Sequence, residues 1–426
     1  MQIKMDYGRK GLMIDVPEVA DVFEVRRTLS VPDEKATIHQ ALQNPMGSPS
    51  LSQIVTEETH IVIIHTDITR ATPNRRLLPV ILDYLEMHGV KRENITLLNA
   101  LGTPRPQTTA ELELMLGEAV VRNYRCIQHN AFDDSQLFLL GKSQFGNPVK
   151  INKTLIESDL VILTGFIEPH FFAGYSGGPK AILPGCAGAE TIFANHSPQM
   201  IANAAAGFNS TAGNPIWEEI REAALKVPNT FLVNVTLDRE NQITGVFAGD
   251  VCKAHQHGCN FVRETSLFEI PKLYDLVITS NSGYPLDQNL YQCVKGLAAA
   301  KRAVRKGGAI LLLGACEEGL PVQSNYAQLL REAKSPQQVL GKVSKTGFMR
   351  QDSWQVQVQA QVQQHADVYL YSDGLSDEQI IRSLLKPCRD IQKTIFDLID
   401  FYRDRLCILL QGPLKILDLM DRENLV

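Results

Sequence analysis

The sequence predicts an α/β fold of two domains, each built on a mostly parallel sheet flanked by helices. Three times before residue 159, a short apolar run closes at a glycine or polar turn and is followed by a helical stretch, the alternation that a doubly wound sheet produces. At Pro271 the cycle restarts with a second strand–helix–strand unit. A chain of 426 residues exceeds a single core. The domains are placed at 1–270 and 271–405, with 406–426 as a terminal segment expected to return to the first domain.

From Met1 to Asp15 polar and apolar residues alternate, and Tyr7-Gly8-Arg9-Lys10-Gly11 supplies the turn of an opening hairpin. Ser30 to Pro49 reads as helix and loop, with Asp33 and Glu34 where a helix N-terminus favours acids. His60 to His65, HIVIIH, is the first central strand, and it ends at Thr66-Asp67-Ile68-Thr69-Arg70. Polar groups at the carboxyl end of a parallel strand lie where open α/β sheets bind ligands. Arg70 offers a fork for a carboxylate or phosphate, with a surface ion pair as the plainer alternative. Pro73 suits the first turn of a helix running to about His88. Asn94 to Ala100 is the next strand, Thr108 to Glu111 opens a helix, and Arg125 to Asn130 is a third strand. His65 and His129 each close a strand, where a histidine is usually structural.

Asp159 to Thr164 is an apolar run closed by Gly165, the pattern of a buried parallel strand. After it come Glu168-Pro169-His170-Phe171-Phe172 and then Ser176-Gly177-Gly178-Pro179-Lys180. Small residues there let backbone amides close round an anion, so a phosphate cradle is the first reading. The spacing fits neither the dinucleotide fingerprint nor the nucleoside-triphosphate loop, because no Gly-x-Gly-x-x-Gly occurs in it and Ala181 follows Lys180. A turn at Pro184-Gly185 and a helix from Ala189 to Asn195 then bring His196 back toward the loop. Glu168 either orients an imidazole or caps the loop. Tyr175, Phe171 and Phe172 either exclude water from a site or are plain core.

Asn214 to Lys226 has the apolar spacing of an amphipathic helix, and Thr230 to Thr236 with Gln242 to Phe247 reads as paired strands. Cys252, His255 and Cys259 share a helical face, but the two close ligand pairs of a zinc module are missing, so no zinc site is expected. In the second unit Tyr274 to Ser280 is a strand, Gln288 to Lys306 a helix ending at Gly307-Gly308, and Ala309 to Leu313 a strand. Tyr291 and Lys295 are one helical turn apart on one face, with Gln292 beside them. Gln351 to Gln364 alternates polar and apolar residues, which suggests a strand. Val368 to Tyr371 and Leu406 to Leu410 read as strands, and Ser376 to Leu385 and Ile391 to Arg405 as helices.

The net charge is −5 and hydrophobic residues make up 44%, so no basic field draws nucleic acid or an anionic membrane. No run reaches transmembrane or signal-peptide character, and eight scattered cysteines suit a reducing compartment. A cytoplasmic protein acting on small molecules is expected, with the oligomeric state left open.

The run from Glu168 to Lys180, with His196 sixteen residues further on, resembles the nickel-dependent lactate racemase family. Asp67-Ile68-Thr69-Arg70 is similar to the family's Asp-x-Thr-Arg, and Gly283 to Asn289 with Tyr291, Gln292 and Lys295 to its second long signature. Gly213-Asn214-Pro215 and Gly245 to Asp250 add two more blocks in order. The resemblance implies a nickel-pincer nucleotide, nickel pyridinium-3,5-bisthiocarboxylate mononucleotide, tethered to Lys180 as a thioamide, with His196 as a nickel ligand. Two sulfurs, a ring carbon and an imidazole would give nickel a square-planar set. His170 inherits the role of general acid/base. Asp67, Thr69, Arg70, Gly102, Ser176, Gly177, Gly178 and Lys180 would surround the cofactor. Arg70, Tyr291, Gln292 and Lys295 would hold the substrate, in a cleft between the domains. The implied reaction is racemisation or epimerisation of a 2-hydroxy acid by hydride transfer through a 2-keto acid, after loading by separate cofactor-making enzymes.

One position departs from the family. Its second acid/base histidine falls in Gly-x-His-Arg-Pro, and here the turn reads Gly102-Thr103-Pro104-Arg105-Pro106. Proline moves no proton. A substrate other than lactate, such as a sugar acid or an aromatic hydroxy acid, is therefore expected, with His65, His129, a water or a substrate group standing in. Two readings of other kinds stay open: a non-catalytic binder of a phosphorylated or carboxylated ligand, and a nicotinamide-type dehydrogenase.

Overall fold

The computed structural model describes residues 1–345, 347–402 and 405–420. Two six-stranded sheets organise it. The first runs Ile243–Gly249, Thr230–Leu237, Leu160–Phe166, Ile61–Thr66, Ile95–Ala100, Arg125–Gln128; it is parallel except for its first strand. Every residue of Leu160–Phe166 is buried, as expected of a strand covered on both faces. Its helices begin as the sequence indicates: Asp33 Oδ1 accepts from Ala36 N at the start of Glu34–Gln43, and Thr108 with Glu111 forms a capping box on Thr109–Leu116. Pro215 follows the Asn214 cap of Pro215–Leu225.

The second sheet is parallel throughout, in the order Lys386–Cys388, Asp367–Tyr371, Val304–Leu313, Tyr274–Ser280, Leu406–Leu409, Asp21–Phe23. Its edge is a correction to the expected boundaries. The opening segment contributes Asp21–Phe23 to this sheet, and the hairpin of Gln2–Met5 and Leu12–Asp15 packs Met5 and Ile14 against Leu276 and Ile278. Leu406–Leu409 also belongs here, beside Tyr274–Ser280. The last described strand, Ile416–Leu419, pairs in parallel with Leu267–Ile270.

Two further expectations fail. The glutamine-rich stretch is a helix, Ser353–His365, buried on nearly every side. Its glutamine side-chain amides find backbone carbonyls one by one: Gln355 Nε2 donates to Tyr291 O (2.6 Å), Gln357 to Pro198 O (2.8 Å) and Gln359 to Ser383 O (2.8 Å). Period-two alternation imitated a strand, whereas the amides are hydrogen-bonding cross-links in a core. The helix Leu290–Ala303 also stops before Lys306, because the next strand already begins at Val304. No helix among the described residues is long and apolar enough to cross a membrane.

Candidate active site

The carboxyl ends of the first sheet's strands open on a cavity of about 300 Å³, closed from the other side by the second domain. Thr66, Ala100 and Thr164 to Phe166 form its floor, and Tyr291, Gln292, Lys295, Asp352 and Trp354 its opposite wall. A cleft beyond the strand ends is where sheets of this class place ligands.

The glycine loop is built on side-chain bonds to the strands. Ser176 Oγ donates to Phe166 O (2.9 Å) and accepts from Glu168 N (2.9 Å). Asn234 Oδ1 accepts from Gly178 N (2.7 Å) while its amide donates to Leu163 O (3.3 Å). Gly177 has φ +72°, and a Cβ there would lie 2.8 Å from Phe166 O, so only glycine fits. These bonds set Lys180 in the short helical turn Gly178–Ala181, facing the cavity.

Phe172 is the hub of the site. The Lys180 ammonium lies 5.7 Å from its ring centroid, the His170 ring 4.5 Å and the His196 ring 5.1 Å, both edge-on. Phe172 is held by Asn214, whose amide donates to Phe172 O (2.9 Å) while its oxygen accepts from Ile216 N and Trp217 N. His196 follows the helix Ala189–Asn195, as the spacing indicated, and meets Trp354 of the second domain at 5.1 Å. Ala173 N donates to His170 Nδ1 (3.2 Å), which orients that ring.

The charges crowd one another. Burial, then Arg70 and Lys295, lowers the Lys180 ammonium to about 7. Burial, then Arg70, lowers Lys295 to about 8, with Glu168 and Asp67 opposing the shift. His196 is lowered to about 3 and His170 also falls well below 6.5, in each case by burial first and Lys180 next. Both imidazoles are therefore neutral near pH 7. Burial raises Glu168, which Lys295 and Arg70 partly offset. Arg70 has no salt bridge among the described residues, so the surface ion pair considered for it is not made.

Of the residues singled out, Asp67, Thr69, Arg70, Gly102, His170, Ser176, Gly177, Lys180, His196, Tyr291, Gln292 and Lys295 all line this cavity, and so does Pro104. Asp67 Oδ1 accepts from Thr69 N and Oγ1 (2.7 and 2.5 Å), which shapes the turn that carries Arg70. Asn289 caps the helix of Tyr291, Gln292 and Lys295 by accepting from Gln292 N (3.1 Å).

Gly178 is the exception. It lies outside the lining, beneath the His255 ring, whose Nε2 donates to Ser176 O (2.8 Å). His255 thus buttresses the loop, with Cys259 Sγ 3.4 Å from its Nδ1, and the described residues hold no group of three metal-ready side chains. Neither stand-in histidine reaches the cavity. His65 is buried with Nδ1 against Thr66 O, and His129 bonds Ala187 O (2.9 Å) and Asn152. The sequence reading missed Asp352, Trp354 and Gln355, because it took their segment for a strand.

Comparison with known proteins agrees with this architecture. The lactate racemase N-terminal domain model matches residues 7–209 and the lactate racemase C-terminal domain model residues 271–400. The chain is 35% identical over 404 residues to the lactate racemase of Thermoanaerobacterium thermosaccharolyticum, covering 92% of this chain and 93% of that one. It is 37% identical over 354 residues to the lactate racemase of Lactiplantibacillus plantarum, covering 82% of each. The solved lactate racemase apoprotein of T. thermosaccharolyticum superposes with a TM-score of 0.92 at 33% identity, over 98% of this chain and all of that one. A Thermotoga maritima protein shares the fold, with a TM-score of 0.72 at 19% identity over 92% of this chain and all of that one. The chain belongs to the lactate racemase family of isomerases.

Proposed function

We propose that the chain racemises or epimerises a 2-hydroxy acid through a 2-keto intermediate, using a nickel-pincer nucleotide held by Lys180 and His196. The observation that carries this reading is the gathering of Lys180, His170 and His196 round Phe172, with Arg70, Gln292 and Lys295 in the same cavity. The residues fit the cofactor. His196 Nδ1 is buried with no partner among the described residues, a costly state that a metal would relieve. The Lys180 amine, lowered to about 7, is substantially neutral at physiological pH and able to form an amide-like bond. When bound, the cofactor supplies a hydride acceptor beside the substrate.

Arg70 and Lys295 neutralise the substrate's carboxylate and Gln292 donates to it, so the C2 carbon is fixed before reaction. His170 is the general acid/base for the hydroxyl; with Nδ1 accepting from Ala173 N the neutral ring carries its proton on Nε2, so taking the hydroxyl proton as the C2 hydrogen leaves requires that bond to open. Phe171, Phe172 and Trp354 keep water from the keto acid. Asp67, Thr69, Gly102, Ser176 and Gly177 shape the cofactor's surroundings, with Gly178 supporting them from behind.

With Pro104 in place of a second imidazole, the substrate is a 2-hydroxy acid other than lactate. Cofactor loading by separate enzymes and action in the cytoplasm go with this reading. The test is a panel of single-enantiomer hydroxy acids, lactate included, given to protein made beside the cofactor-making enzymes and followed by chiral chromatography. Inversion of at least one acid, faster than lactate, is expected. Inversion of none contradicts the proposal.

A further inference from the structure

Racemisation makes a stereochemical demand on the cavity. With the carboxylate held in one place and the C2 hydrogen aimed at one hydride acceptor, two enantiomers differ by exchange of hydroxyl and side chain. The hydroxyl therefore points at opposite walls in the two hands. Each wall needs a group that takes its proton. His170 serves one wall, Pro104 serves none, and His65 and His129 face elsewhere.

Asp352 lies on the second-domain wall. It occupies the cap position of the helix Ser353–His365, where an aspartate ordinarily accepts from the first free amides, yet its side chain makes no cap bond. Its backbone is left-handed, with φ +65°, a conformation that costs a non-glycine residue about 1 kcal/mol and tends to persist where function holds it. Tyr291 lines the same wall of the cavity, and its hydroxyl is near enough to hold the carboxylate's titration down against burial. No cation pairs with it among the described residues. Asp67, the other carboxylate of the lining, is committed to Thr69. Burial raises Asp352 above the ordinary aspartate value, which strengthens it as a proton acceptor.

We propose that Asp352 is the second acid/base of the reaction, serving the enantiomer whose hydroxyl faces the second domain, with Tyr291 orienting its carboxylate. The inference rests on the racemase reading above. In the forward step the O–H bond breaks, its proton passes to an Asp352 oxygen and its electron pair forms the C=O bond. The C2 hydrogen leaves with its own pair to the hydride acceptor. The keto acid then turns about its carboxylate, hydride returns to its other face, and the oxygen takes a proton from water relayed through His170, whose ring is neutral before and after. Release of its proton to water restores Asp352.

The test mixes cofactor-loaded wild type, Asp352→Asn and His170→Gln with each enantiomer of the acid that wild type inverts, and follows the cofactor's absorbance as it accepts hydride. Asparagine tolerates the left-handed backbone, so the turn is kept. The expected result is a drop of about 10²-fold or more in Asp352→Asn for one hand, and in His170→Gln for the other. Calorimetry on unloaded protein is the second readout, with Asp352→Asn expected to bind both hands within about threefold of wild type. Tyr291→Phe should give a milder loss confined to the Asp352 hand. An equal effect on both hands, no effect, or a collapse of binding overturns the role of Asp352 and leaves the racemase reading standing. Wild type that responds to neither hand of any acid overturns both.

Discussion

Lys295 ties the electrostatics of the cavity to an observable pH dependence. Its ammonium must be charged to hold a carboxylate, and burial beside Arg70 lowers it to about 8. The charged form prevails below that value and is lost as pH rises through it, so binding should be flat in mildly acidic solution and weaken above pH 8. A charge-assisted hydrogen bond contributes about 1.5–3 kcal/mol, which corresponds to about a 10- to 150-fold rise in Kd. Because Lys180 titrates nearby at about 7, the measurement is best made in Lys180→Gln. There, calorimetric titration between pH 6 and 9.5 with the 2-hydroxy acid that wild type inverts should show Kd climbing above pH 8. Adding Lys295→Arg, whose guanidinium stays charged, should flatten the curve. Adding Lys295→Met should leave binding weak at every pH. A level Kd up to pH 9.5 in Lys180→Gln with Lys295 intact would refute the reasoning.

Other consequences concern stability. Gly178→Ala would force a side chain into the His255 ring at φ +56°, with an expected loss of about 2–4 kcal/mol in urea unfolding. Asn214→Ala removes a helix cap and leaves the Phe172 carbonyl unpaired; about 2–4 kcal/mol should be lost in the same assay, and turnover should fall because Phe172 centres the site. Lys415 is fully buried with no partner for Nζ among the described residues, and burial lowers it to about 7. A lowered lysine destabilises the fold below about pH 7, and that penalty fades as pH rises toward 10.5. Lys415→Met should therefore stabilise the protein by a few kcal/mol at pH 6.5, and by less at pH 9.

Much of the site was legible because local chemistry fixes it. Strands such as Ile61–Thr66 and Leu160–Phe166 are buried on both faces and leave only their carboxyl ends for polar groups, so Asp67 to Arg70 and Glu168 to Lys180 were bound to meet. Thr108, Asn214 and Pro215 announce helix starts through the amides they cap or lack. What failed depends on distant packing. Gln351 to Gln364 alternates like a strand, and the carbonyls that take its glutamine amides in a helix, those of Pro198, Ser383 and Tyr291 among them, lie far away in sequence. Hidden with it were Asp352 and Trp354. Asp21–Phe23 is three residues long, and its place beside Leu406–Leu409 is decided by the opposite end of the chain. Gly178 looked like part of an anion cradle, yet its missing side chain makes room for His255.

The most direct measurement is the intact mass and nickel content of wild type and Lys180→Ala, produced beside the cofactor-making enzymes in a host verified to make the cofactor. Wild type should be heavier than its polypeptide by one cofactor and carry about one nickel per chain, while Lys180→Ala should show the bare mass. A bare mass for wild type from that host would contradict the account.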